Sequence, residues 1–128
     1  MPGFSHSFDI PEFGFSLSVR LREPLTKSKS AVLTIRVYDA FGSLVQPSEG
    51  VPVSWSDGLQ SHFRYIRAES LSWSLDWQSE TTLSKVEVEC VHWPAQTNFN
   101  ELLQAVAIAP QSSPNRFDVQ CMNDGGGA

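Results

Sequence analysis

The sequence predicts an all-β fold, a two-sheet antiparallel β-sandwich of jelly-roll or immunoglobulin-like type, with about eight short strands and one short helical turn. Apolar residues alternate with polar ones in many separate segments, as expected for strands with one buried and one solvated face. Turn residues separate these segments at intervals of roughly 10–15 residues. There is no strand–helix–strand rhythm, so a parallel α/β sheet is not expected.

Five segments alternate most clearly, and they cover residues 13–21, 31–38, 51–55, 71–77 and 86–90. In the fourth segment every odd position is large and apolar, and the polar stretch 78–81 after it is predicted to be a loop. Pro52 cannot donate to a strand ladder, so its strand is expected at a sheet edge. After Cys90 the alternation slips to Val91 and Trp93, which predicts a β-bulge.

Weaker strand signals cover residues 62–67, 104–109 and 117–121. Phe99, Leu102, Leu103 and Val106 follow helical spacing. With Asn98 as N-cap, this spacing predicts a helical turn that merges into the strand at 104–109. We therefore expect a single β-sandwich domain over residues 1–122. The Gly-rich tail at 123–128 is flexible linker chemistry and indicates a domain boundary.

Charge and local sequence patterns argue against nucleic-acid binding, secretion and membrane insertion. The chain has 128 residues, with nine Lys and Arg against fourteen Asp and Glu, for a net charge of −5. Without a basic stripe to neutralise phosphates, nucleic-acid binding is not expected. The N-terminus has no signal-peptide pattern, and no apolar stretch reaches the roughly 18–20 residues of a membrane span. A cytoplasmic protein without a membrane span is the expectation.

The two cysteines, Cys90 and Cys121, lie at core-facing positions of their predicted strands. They lack metal-ligand spacing and are too few for a disulfide framework. Two interpretations stay open at this point: a pair of buried thiols, or a single inter-strand disulfide.

Motifs for catalysis are absent from the sequence. It contains no Gly-x-Ser-x-Gly elbow, His-Glu-x-x-His, phosphate-binding Gly-rich loop or Cys-x-x-Cys. His6, His62 and His92 lie on different segments, and His62 alternates with Phe63 and Tyr65, which predicts an outward-facing side chain. Glu87 and Glu89 share a face, which fits either a solvated surface or a carboxylate pair. We therefore expect a non-enzyme without a cofactor or metal.

The four tryptophans carry the strongest indication of binding. Trp73 and Trp77 share the face of Leu71 and Leu75 and are predicted to lie in the core, whereas Trp55 and Trp93 adjoin loops. Sugar rings stack on exposed aromatic side chains while nearby polar groups fix their hydroxyls. The predicted ligand-binding set is Trp55, Asp57, His62, Trp93, Asn98 and Asn100. A second set, Arg20, Arg22, Arg36 and Arg64, is predicted to point outward, where it either meets a polar or acidic partner or solubilises the sheet.

The segment Phe63-Arg64-Tyr65-Ile66-Arg67, followed by Val86-Glu87-Val88-Glu89, resembles strands of galactose-binding-like jelly rolls. The likeness covers about half of the chain and extends to the β-sandwich accessory modules of bacterial carbohydrate-active enzymes. It implies a non-catalytic domain that binds or positions sugars, although the acidic calcium loop of many such modules is missing. The alternative hypothesis is a structural domain that oligomerises through a sheet face or an edge strand.

Overall fold

The computed structural model describes residues 3–27 and 29–111 and shows an antiparallel β architecture. Its strands are β1 (Phe4–Leu21), β2 (Ala31–Tyr38), β3 (Ser54–Ser56), β4 (Ser61–Ile66), β5 (Ser72–His92), β6 (Thr97–Asn98) and β7 (Leu103–Pro110). A single turn of 3-10 helix covers Asn100–Leu102. The all-β prediction is confirmed. The predicted strand at 117–121, Cys121 and the tail at 123–128 lie outside the described residues.

The seven strands form one hydrogen-bonded sheet in the order β3-β4-β2-β5-β1-β7, with β6 paired to β5. Two long strands, β1 and β5, run through the whole sheet and divide it into two sections. In the first section, β3, β4 and β2 join the second half of β5, which pairs with the start of β1. In the second section, the first half of β5 pairs with the second half of β1, and β7 follows.

An irregular stretch separates the two sections. The β1–β5 register shifts between Ser7 and Glu12 and again between Glu12 and Gly14. Such irregularities bend a strand and increase its twist. The predicted bulge at Cys90 and Val91 is wrong, because the β2–β5 ladder runs through both residues without a shift. The slip in alternation arises because Val91 is buried on the opposite face from Cys90.

The predicted loop at residues 78–81 is also wrong, because this stretch is part of β5. Gln78 pairs with Gly14 of β1, and its carbonyl accepts a hydrogen bond from the Ser48 amide at 2.7 Å. Its side-chain amide donates to Gln111. The polar residues of this stretch therefore remain extended because both their backbone and side-chain groups find partners.

One apolar cluster joins the two sections. It contains Phe15 and Leu17 from the second section together with Leu33 and Ile35 from the first. At its centre the rings of Phe15 and Trp77, which are cross-strand partners, stack at 5.9 Å with an interplanar angle of 10°. Trp77 is fully buried, which confirms its predicted place in the core.

A smaller apolar cluster covers the other face of the first section. It consists of Val32, Leu59 and Val91, with Phe63 and Trp93 packed against it. The central strand β2 is thus buried on both faces, and its first five residues are all buried. Strands buried on both faces do not alternate between apolar and polar residues.

Two smaller predictions have different outcomes. β3 is an edge strand and begins two residues after Pro52, as expected for a residue that cannot donate to a ladder. Asn98 is not an N-cap, because Phe99 occupies that position of the 3-10 helix and no side chain caps it. The Asn98 side chain instead donates to Glu89 Oε2 at 3.1 Å.

Gly14→Ala should destabilise the fold, because a Cβ there would lie 2.5 Å from the carbonyl oxygen of Trp77. We expect a loss of about 1–3 kcal/mol in the free energy of unfolding, measured by denaturant titration. Gly58→Ala is the matched control, since its added Cβ meets the flexible Gln96 side chain at 3.0 Å. An equal loss in both variants would contradict the close β1–β5 approach at Gly14.

Candidate functional site

The first predicted site residues, Trp55 and Asp57, lie together at the β3–β4 corner. Trp55 is 39% exposed, and its Nε1 donates to Asp57 Oδ1 at 2.8 Å. Gln60 closes the same turn by donating from its side chain to the Asp57 carbonyl at 2.7 Å. The expected exposure of Trp55 is confirmed, but its indole N–H is already used within the corner.

His62 does not point outward as predicted, because it is only 4% exposed. Its ring contacts the edge of Trp77 at 5.5 Å and of Trp55 at 5.0 Å. Phe63 and Tyr65 do face away from His62, so the alternation itself was correct, but the outer face is the one that carries the two aromatic residues. Phe63 packs against the small apolar cluster and Tyr65 packs against Phe63. These contacts explain why the aromatic residues, and not His62, lie on the outer face of β4.

Burial lowers the pKa of His62 below its ordinary value of 6.5. Its Nε2 lies 3.4 Å from Gln46 Oε1, which is the polar contact of a ring otherwise surrounded by aromatic side chains. A neutral imidazole suits this environment, because burial disfavours the charged form.

Trp93 packs against Phe63, on the face of β4 opposite to His62 and Trp55. It is half-buried, and its ring stacks on Phe63 at 5.9 Å with an interplanar angle of 18°. One face of the indole is therefore covered by protein. Trp93 thus helps to close the apolar cluster that Val32 and Val91 begin.

Asn98 and Asn100 form a polar network with the end of β5. Asn100 donates to Asn98 Oδ1 at 2.8 Å, and its own side-chain oxygen accepts a hydrogen bond from the Cys90 amide at 2.9 Å. Both asparagines line a groove of about 620 Å³ that also includes Arg22 and Glu101. The six predicted residues therefore occupy three places rather than one site.

Arg36 has a structural role rather than the predicted solvent-facing one. Its guanidinium pairs with Glu89 at 2.9 Å and donates to the carbonyl oxygens of Leu59 and Gln60. These three contacts attach the loop after β3 to the centre of the sheet. An arginine with several fixed partners is poorly suited to capture a ligand.

One groove of the described residues is lined by β1, β5 and β7 of the second section and by Arg64 and Tyr65 of β4, with Arg67 just beyond that strand. Its volume is about 770 Å³, and serine and alanine make up half of its lining residues. We call it the arginine groove; its lining includes Ser18, Arg20, Arg64, Tyr65, Arg67, Ser70, Ser72, Trp73, Ser74, Ala105 and Ala107.

The arginine groove has a sharply one-sided charge. Three arginines line it, and none of the Asp and Glu side chains within residues 3–27 and 29–111 does. The next acidic residue along β5 is Asp76, whose Oδ1 accepts a hydrogen bond from Ser16 at 2.8 Å. A positively charged recess in a chain of net charge −5 concentrates anions locally.

The aromatic residues of the groove differ in exposure. Tyr65 is 56% exposed at its rim, whereas Trp73 is half-buried and lies beneath Arg64, whose guanidinium carbon is 5.8 Å from the ring centroid. Phe63 contacts Tyr65 edge-on at 5.6 Å and restricts its ring. The predicted core position of Trp73 therefore holds in part, since the same side chain also lines the groove.

The outward position predicted for Arg20 agrees with its exposure, whereas Arg64 shares the face of His62 and packs over Trp73, although its side chain stays exposed. The sequence does not predict that Tyr65, Arg67 and the serines lie beside them. One signal could have found the serines. Ser72 and Ser74 occupy even positions of β5, and Ser18 and Arg20 occupy even positions of β1, so both strands present small polar residues on one face. A face without bulky side chains leaves room for a ligand.

Nucleophilic and metal chemistry receive no support from the described residues. Burial, together with a smaller effect of the nearby Glu101 carboxylate, raises the pKa of the Cys90 thiol to about 12. Within residues 3–27 and 29–111, no group of three His, Cys, Asp or Glu side chains could hold a metal ion. No helix in this part of the chain is long and apolar enough to cross a membrane.

No protein-family model matches the chain, and comparisons with curated proteins and with solved structures also give no match.

The stability of the protein should depend on pH through His62. The unfolded chain takes up a proton at His62 near pH 6.5, whereas the folded chain resists protonation until a lower pH. The stabilisation is complete above pH 6.5 and falls as the pH drops below it, because the unfolded state then binds more protons. Between pH 7.5 and pH 5.0 we expect the wild-type chain to lose more unfolding free energy than His62→Gln, measured by denaturant titration. Equal losses would contradict a depressed His62 pKa.

Proposed function

We propose that the protein is a non-catalytic carbohydrate-binding module and that the arginine groove is its binding surface. The observation that carries the proposal is the exposed Tyr65 ring beside an open groove whose lining includes four serine hydroxyls. Binding sites for sugars combine apolar ring surfaces with a few placed polar groups. Both elements occur here on the strands of a rigid sheet.

The polar groups of the groove are suited to hydroxyl recognition. The hydroxyls of Ser18, Ser72 and Ser74 can each donate and accept, and the guanidinium of Arg20 donates. The shape also favours a chain ligand, because the groove is lined by residues of four strands rather than forming an enclosed cavity. The Trp55 corner remains a predicted additional contact, with its aromatic surface exposed to solvent.

We further propose that the two sections of the sheet face each other as the layers of a β-sandwich. The support is the single apolar cluster that contains residues from both sections. The edge-on contact of His62 with Trp77 joins strands β4 and β5 where they are not ladder partners. The arginine groove is lined from both sections, by Arg64 and Tyr65 of β4 and by residues of β1, β5 and β7, among them the core-packed Trp73.

Tyr65→Ala should weaken carbohydrate binding about three- to tenfold, because the stacking surface is lost. A glycan array first identifies a ligand, and calorimetric titration then compares the variants. Phe41→Ala is the matched control, since Phe41 is an exposed aromatic residue that does not line the arginine groove. Absence of saturable binding to any glycan would overturn the proposal, as would equal weakening by both variants.

A second candidate function is self-assembly through β7, and it has its own observation. Within the described residues β7 pairs with β1 alone, so its other edge is open. It has eight residues and no charged side chain, whereas the opposite edge strand β3 has three residues and follows a proline. Long uncharged edges promote strand pairing between molecules. An antiparallel β7–β7 pair of two copies would bring no like charges together.

Sedimentation velocity over a wide concentration range tests this second function. We expect a dimer that Ala109→Lys disrupts, because the added charge would lie on the pairing strand. Ser43→Lys, at an exposed loop position, serves as the control and should leave the dimer intact. A chain that is monomeric at every concentration would remove self-assembly.

A further inference from the structure

The arginine groove points to a more specific ligand, and we propose that it binds an acidic glycan, a saccharide that carries carboxylate or sulfate groups. This inference rests on the proposed carbohydrate-binding function. It goes beyond that function because it assigns the charge of the ligand and the residues that recognise it.

No acidic side chain of the described residues forms an ion pair with the arginines of the groove. The two ion pairs among residues 3–27 and 29–111 are Arg36–Glu89 and Lys85–Glu87, and neither involves the groove. Arg20, Arg64 and Arg67 therefore retain their positive charges for a ligand. By contrast, Arg36 and Lys85, on the outer face of the first section, are already neutralised by glutamates.

Arg64 is held in place before any ligand arrives. Its guanidinium packs over the Trp73 ring, and Nη1 lies 3.5 Å from the Pro52 carbonyl. A guanidinium that is stacked on a ring loses less freedom on binding and still presents donors at its edge. Its planar fork matches the two oxygens of a carboxylate or sulfate.

The neighbouring side chains favour a saccharide over other polyanions. Tyr65 offers a ring face beside the arginines, and serine hydroxyls lie between them. Acidic peptides need no row of hydroxyl groups, and nucleic acids usually require a broader basic surface. The combination of ring, hydroxyl and guanidinium groups fits an uronic acid or a sulfated sugar unit.

The test compares hexasaccharides that differ in charge, using the full chain in calorimetric titrations. The probes are a neutral cello-oligosaccharide, a carboxylate-bearing galacturonate oligomer and a sulfated heparin fragment, together with a hexa-aspartate peptide. We expect at least tenfold tighter binding of one of the two acidic saccharides than of the neutral one. Salt screens exposed charge pairs, so affinity for the acidic probe should be lower in 300 mM than in 50 mM NaCl. Over this range the electrostatic screening length falls to about half.

Variants assign the effect to the groove. Arg20→Gln and Arg67→Gln should each weaken acidic-glycan binding about three- to tenfold, as expected for a charged hydrogen bond at a partly solvated site. Lys27→Gln removes the same charge from an exposed turn that lines no described groove, and it should leave the affinity unchanged. Equal weakening by Lys27→Gln would show a non-specific effect of net charge and overturn the inference.

The remaining outcomes separate this inference from the proposed function. Equal affinity for neutral and acidic saccharides would overturn the acidic ligand but retain carbohydrate binding. Binding of hexa-aspartate as tight as that of the acidic saccharides would overturn the saccharide in favour of an acidic protein segment. No binding of any saccharide would overturn both.

Discussion

The pairing of β1 with β5 is the constraint on which the rest of the structure depends. These two strands run through both sections of the sheet, and the register shifts between Ser7 and Gly14 separate one section from the other. Beyond the shifts, the cross-strand stack of Phe15 on Trp77 places the largest side chains of the core at the junction. The close approach at Gly14 leaves no space for a side chain there. Core packing and sheet continuity are therefore fixed at the same place.

The same pairing positions the arginine groove. Once Leu17 and Val19 face the core, strand alternation turns Ser18 and Arg20 to the outside, beside Ser72 and Ser74 of β5. The loop after β3, next to Trp55, and the turn that begins at Trp93 are attached differently, through Arg36 and the small apolar cluster. The indole N–H of Trp55 and one ring face of Trp93 are already in contact with other residues of the protein. A groove on paired strands keeps its shape without such support.

The strand positions could be predicted from the sequence, because alternation reports directly which face of a strand is buried. Pairing could not, since residues 78–81 look like a loop until their partners Gly14 and Gln111 are known. The bulge predicted after Cys90 is wrong for a related reason. Val91 is buried by a second apolar cluster on the other face of the strand, and a sequence pattern that assumes one buried face interprets this as a shift in register. At the site, Arg20 and Arg64 were predicted to face outward, but their proximity to Tyr65 and Arg67 depends on sheet order. His62 shows that alternation distinguishes two faces without saying which one is inside.

Backbone amide chemical-shift mapping with an acidic oligosaccharide tests the central claim most directly, because it locates the binding face residue by residue without any substitution. The account predicts that the largest shifts fall on Ser18, Arg20, Ser72, Ser74 and Ala105, on neighbouring strands of one outer face. Shifts confined to the Trp55 corner and to the turn after Trp93, with those five amides unchanged, would contradict it.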